Sequence, residues 1–131
     1  KGEALTLPSE CKNLRAALTW AGNSGKMIAH LLFKDGVMCE AYTVADGENL
    51  TWGEIADIYS EVFGTQFLWV DTKTYLLDME KQGKEKWILL YDRLYDRFID
   101  NSKILKATNL KKEDFKSIKE GLEIEYNKIK R

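Results

Sequence analysis

Thr51-Trp52-Gly53-Glu54 has the form of a helix start, and Gly64 has the form of its end. In a Ser/Thr-x-x-Glu box the hydroxyl accepts from the third amide of the helix, while the glutamate reaches back to the amide of the cap. A glycine just past the last turn supplies the left-handed residue that closes many helices. Between these signals Ile55, Ile58, Tyr59 and Val62 recur at helical spacing. The β-prone run Gln66-Phe67-Leu68-Trp69-Val70 follows at once. Helices and short strands must therefore share the chain, and the expected class is α+β: a small, mostly helical domain with a few short strands.

The remaining segments fit that frame. Ala4-Leu5-Thr6-Leu7 reads as a short strand stopped by Pro8. Gly22-Asn23-Ser24-Gly25 reads as a loop, with Ser24 capping a largely buried helix through Met27, Ile28, Leu31 and Leu32. Residues 40–45 alternate and are rich in β-forming side chains, which predicts a strand before the Asp46-Gly47 turn. Asp71 or Thr72 caps a helix that Gln82-Gly83 breaks. Residues 86–95 suit another helix, residues 97–100 are extended, and Asp100 or Asn101 caps the next helix. A final helix gathers Phe115, Ile118, Leu122 and Ile129 on one face.

Composition removes several kinds of partner. The 131 residues suit one domain, residues 1–131, with one core. Twenty Lys plus Arg against twenty-one Asp plus Glu leave a charge of -1, so no field draws the chain to nucleic acid or to an anionic membrane. No apolar run approaches the ~20 residues of a membrane span. Cys11 and Cys39 lack metal spacing and suit reduced thiols in a cytoplasm. The chain opens at Lys1 with neither Met nor a signal-like segment and is expected to be cut from a longer polypeptide.

Catalytic and metal signatures are missing. His30 is the sole histidine and sits in an apolar helical run, where a packed or partly exposed place explains it better than catalysis. Gly22-Asn23-Ser24-Gly25-Lys26 resembles a phosphate loop, but Met27 stands where the metal-ligating hydroxyl is required, so a plain turn is expected. Tyr126 and Lys130 have Tyr-x-x-x-Lys spacing with no glycine-rich cofactor loop before them. No catalytic, cofactor-binding or metal residue is assigned. The run from Tyr91 to Phe98 is different. Arg93 and Arg97 offer planar forks that suit phosphate, and Tyr91 and Tyr95 can stack on a base or donate to a ribose. Asp92 and Asp96 could instead neutralise the arginines in local pairs worth about 0.2–0.5 kcal/mol each.

Three stretches, covering roughly residues 25–131, resemble the carboxy-terminal half of the NAD-dependent epimerase/dehydratase family, the extended short-chain dehydrogenase/reductases. Residues 40–55, ending Thr51-Trp52-Gly53-Glu54-Ile55, are similar to that family's strand, acidic turn and helix start. Asp100-Asn101-Ser102-Lys103 resembles the segment opening a late helix, and residues 114–122 resemble the final helix. Residues 14–23 depart from the family by lacking its acidic residues. The resemblance implies a substrate-binding part without its Rossmann domain, inactive alone. NAD or NADP would be held by that missing domain of the same polypeptide. A sugar nucleotide is the implied substrate, with Arg93 or Arg97 on its diphosphate and Tyr91 and Tyr95 orienting it. Apolar surface left bare by the missing domain predicts self-association into homo-oligomers. The alternative is a stand-alone binding or assembly module of the same fold family without redox activity.

Overall fold

The computed structural model describes residues 4–130. About half of them are helical, and two short parallel strands complete an α+β architecture. The described residues group into two compact units, 4–16 with 50–97 and 17–49 with 98–130.

The first unit holds strand β1 (Leu5–Pro8), helix α2 (Trp52–Phe63), strand β2 (Phe67–Val70) and helix α3 (Thr72–Lys81); α1 belongs to the second unit. β1 and β2 pair in parallel, Leu5 against Phe67 through Pro8 against Val70. Helix α2 begins and ends where its sequence predicts. Thr51 accepts from the Glu54 amide at 3.2 Å, Glu54 accepts from the Thr51 amide at 2.7 Å, and Gly64 takes φ +68°. Its register is fixed by the turn at residues 12–14: the Trp52 N–H donates to the Leu14 carbonyl and the Gly53 N–H to the Lys12 carbonyl. A side chain at Gly53 would put its Cβ 3.1 Å from that Lys12 oxygen, so this close approach needs glycine. Asp71 caps α3 by accepting from the Thr74 amide at 3.0 Å. Glu10 adds a second carboxylate at the same helix end, accepting from the Thr72 amide and hydroxyl. The Thr72 hydroxyl and then its amide lower the Glu10 carboxyl from 4.5 to about 2.

The second unit holds α1 (Ala21–Leu31), α4 (Ser102–Thr108) and α5 (Ile118–Ile129). Met27, Ile104 and Leu110 form its buried centre, with Leu31, Tyr42, Val44, Leu105 and Phe115 packed around them. Three expectations are corrected here. Gly22-Asn23-Ser24-Gly25 is not a loop but the first turns of α1, and Ser24 makes no cap. Gly22 lies where a Cβ would fall 2.3 Å from the Trp20 ring, and Gly121 of α5 lies 2.5 Å from Trp20 Cγ by the same measure. These glycines are spent on room for an indole, which outweighs their poor helix propensity. α1 is also less buried than its apolar content predicts: Asn23 and Met27 are enclosed, while Ile28, and Leu32 and Phe33 just past its end, are exposed.

Residues 40–45 form no strand. Their alternation serves the core, because Tyr42 and Val44 pack on the buried cluster. Their carbonyls are met by side chains, Ala41 by the Lys103 ammonium and Ala45 by the Asn101 amide. The final helix starts at Ile118 behind a second capping box, Ser117 with Glu120, so Phe115 lies before it and Ile129 is exposed.

The turn at residues 46–49 ties this unit together. Asn23 donates to Asp46 Oδ2 at 3.0 Å and to the Lys116 carbonyl at 2.7 Å, and it accepts from the Lys116 amide at 3.1 Å. Glu48 accepts from the Ile118 amide at 2.9 Å. Asn49 takes both the N–H and the carbonyl of Ile99, much as a neighbouring strand would. Asn23, Asp46 and Asn101 are all buried, and buried polar groups persist only when partnered in this way.

Candidate functional site

The aromatic and basic run lies in the first unit. A helical turn opens at residues 87–88 and widens to π geometry over Leu89–Arg93, where the Leu94 N–H donates to the Leu89 carbonyl at 3.2 Å. The regular helix predicted for residues 86–95 is therefore replaced by this single wide turn. Buried Leu89 holds one end of it and Arg93 the other, its guanidinium 4.8 Å from the centre of the Trp52 ring. Isolated π turns recur at functional sites. Trp87, Ile88, Tyr91 and Tyr95 all remain exposed around it. Trp87 and Tyr91 stack, with ring centres 5.5 Å apart and planes at 21°.

The two arginines share one carboxylate. Asp92 Oδ1 accepts from Arg97 Nη1 at 2.5 Å, and Asp92 Oδ2 lies 3.4 Å from Arg93 Nε. Asp96, the second acid of the run, is turned to Arg15 instead, accepting from its backbone N–H at 3.0 Å, from Nε at 2.8 Å and from Nη2. That side-chain grip holds the Asp96 carboxyl far below the usual carboxylate range. Asp96 thus takes no part in neutralising the two arginines, and among the described residues both pair with the same carboxylate, Asp92.

Among the described residues, two buried donors here meet no acceptor, Arg97 Nε and Trp52 Nε1. Guanidinium and indole N–H groups only donate, and a buried donor left unmade costs about 1–3 kcal/mol. The cluster is short of an acceptor and of negative charge. A cavity of about 60 Å³ lies between Leu7, Cys11, Trp52, Tyr75, Leu89 and Arg93. It is far smaller than the about 300–1,000 Å³ of ordinary ligand pockets. Larger hollows exist elsewhere, about 590 Å³ beside β1 and α3 and about 370 Å³ beside the 46–48 turn, and neither is lined by these arginines or tyrosines.

Of the sequence-predicted site residues, Arg93 and Arg97 are brought together through Asp92, and Tyr91 and Tyr95 stand exposed on the same turn. Sequence reasoning missed Trp52 beneath Arg93 and Trp87 beside Tyr91. The second was available from its i,i+4 spacing; the first has no local signal.

Other motifs resolve simply. Lys26, in the phosphate-loop resemblance, donates to the Asp114 carbonyl at 2.7 Å. Lys130 rests over the face of Tyr126, 4.1 Å from its centre. His30 is exposed near the end of α1. Both cysteines are free; Cys11 is buried, which pushes its thiol pKa up, and Cys39 is exposed. Among the described residues no group of His, Cys, Asp and Glu could hold a metal, and no helix is long and apolar enough to cross a membrane.

The start of α3 behind β2 carries the Asp71 and Glu10 carboxylates, which repel a phosphate at that helix end. No protein-family model, curated protein or solved structure matches the chain.

Proposed function

We propose that the chain binds a phosphate-bearing small molecule through Arg93 and Arg97, as the substrate-binding part of an NAD(P)-dependent sugar-nucleotide epimerase or dehydratase. The observation that carries this reading is the pair of guanidiniums on one carboxylate, with Arg97 Nε buried and without an acceptor. A diphosphate supplies both the charge and the acceptors that are missing. The stacked Trp87 and Tyr91 rings offer an apolar face to a sugar or a base beside it. Chemistry and dinucleotide would belong to a Rossmann domain of the same polypeptide, and this part alone would turn over nothing. The exposed Ile28, Leu32 and Phe33 support a covering partner of that kind. Two free thiols are consistent with a cytoplasmic setting.

Calorimetric titration with nucleoside diphosphate sugars, nucleoside diphosphates and free sugars tests the ligand class. Diphosphate-bearing compounds bind, free sugars do not, and Arg97→Gln weakens binding about tenfold, as expected for one charge-assisted bond. Equal affinity for free sugars would refute the reading. Reading the coding sequence upstream of Lys1 tests the parent: a strand followed by Gly-x-Gly-x-x-Gly and, later, Tyr-x-x-x-Lys is expected. A start codon at Lys1 would leave a stand-alone binding module.

A further inference from the structure

Asp92 is placed to do more than fix two side chains. It gives one oxygen to each guanidinium, Oδ1 to Arg97 at 2.5 Å and Oδ2 toward Arg93 at 3.4 Å. A guanidinium has five N–H donors in a rigid fork and binds an oxyanion best through two parallel bonds. Asp92 makes a two-pronged bond to neither arginine. It spreads one negative charge over two positive ones and leaves Arg97 Nε without an acceptor. Arg93 has a second support, the Trp52 ring, so its position does not depend on Asp92 alone. All three charged side chains remain partly open to solvent, at 44%, 43% and 33% for Arg93, Asp92 and Arg97. An arriving anion can therefore reach the open atoms of the pair, and Arg97 Nε, buried at the start, meets it as the carboxylate is displaced.

We propose that Asp92 is an internal counter-anion that competes with the phosphate of a ligand for Arg93 and Arg97, so that it sets the affinity of this site. The inference rests on the proposed anion-binding role of the two arginines and adds its regulation. In the free protein Asp92 occupies the guanidiniums loosely. A diphosphate, with more charge and more acceptors, takes both forks and releases Asp92 toward water. The competition lowers the affinity of every anion that must displace Asp92 by the same factor, so singly charged ligands, weaker from the start, fall below useful affinity first.

The test is titration of the full chain with sodium pyrophosphate at low ionic strength, wild type against Asp92→Asn and Arg97→Gln. Asparagine keeps an acceptor oxygen for Arg97, removes the charge, and turns the oxygen that faces Arg93 into an amide donor. Deleting one unit charge a few ångström away at a solvent-exposed site predicts about fivefold to tenfold tighter binding for Asp92→Asn. Arg97→Gln binds more weakly than wild type. In the wild type, the Asp92 carboxyl carbon resonance moves on saturation as the carboxylate is released, a readout that requires no variant to fold. Wild-type binding with equal or weaker affinity in Asp92→Asn, or with an unmoved Asp92 resonance, would overturn the competition and leave the anion site standing. No pyrophosphate binding by either protein would overturn both.

Discussion

Replacing Asn23 with alanine removes a buried side chain that makes three hydrogen bonds in the second unit. Asn23 is 2% exposed and makes three bonds, to the Asp46 carboxylate, to the Lys116 carbonyl and from the Lys116 amide. Alanine leaves a buried carboxylate oxygen short of a donor, which costs about 1.5–3 kcal/mol, and leaves two partly buried backbone groups unpaired at about 0.5–1.5 kcal/mol each. Better helix propensity returns about 0.5 kcal/mol. The net loss is about 3 kcal/mol, a large share of the roughly 5–15 kcal/mol that holds a domain folded. Urea unfolding followed residue by residue in amide spectra reads it directly. With a slope of about 2 kcal/mol per molar, the midpoint for α4 and α5 residues falls by about 1.5 M. Hydrogen exchange at the Lys116 amide accelerates in step. Asn101→Ala, which loses one bond to the Ala45 carbonyl, is the milder comparison at about 1 kcal/mol. A midpoint shift for Asn23→Ala no larger than that of Asn101→Ala would refute the claim that the 46–49 turn is held through Asn23.

Other perturbations follow from the same contacts. Gly121→Ala should destabilise the second unit by about 1–3 kcal/mol in thermal melts, despite better helix propensity, because its Cβ meets Trp20 near the indole's attachment to the backbone; a raised melting temperature would contradict this. The Glu10 carboxyl should titrate near 2 in carbon-detected spectra. Its folded value lies below the ordinary 4.5, so the stability it confers is complete above about pH 4.5 and is lost as pH falls through 2; a midpoint near 4.5 would show that the Thr72 clasp is absent in solution. Light scattering at rising concentration should show self-association through the exposed Ile28, Leu32, Phe33 and Met38 surface, reduced by Phe33→Asp; a monomer at every concentration would count against it.

What the sequence made legible was chemistry confined to neighbours. Helix α2 could be read because both of its ends are local devices, the Thr51 and Glu54 box and Gly64. The strands at 5–8 and 67–70 could be read as runs, but their parallel pairing joins segments far apart in the chain and left no local trace. Gly22 and Asn23 were misread as a loop because their purposes, room for Trp20 and a bond to Lys116, lie elsewhere in the sequence. Residues 40–45 were misread because alternation reports which side chains are buried, and Tyr42 and Val44 are buried without a strand partner. At the candidate site, residue type alone marked Arg93 and Arg97. The imbalance of charge around them emerged only when Asp96 proved to be engaged by Arg15, 81 residues away.

The most direct measurement of the anion-site claim follows the Arg97 Nε–H and Trp52 indole N–H resonances while a nucleoside diphosphate is added. Both protons start without an acceptor. Binding at the Arg93–Arg97 pair predicts a downfield shift of the Arg97 Nε–H signal that saturates with ligand and reverses with salt, as a charge-assisted hydrogen bond requires. An Arg97 signal that stays in place while ligand binds elsewhere, or while no ligand binds, would contradict the account.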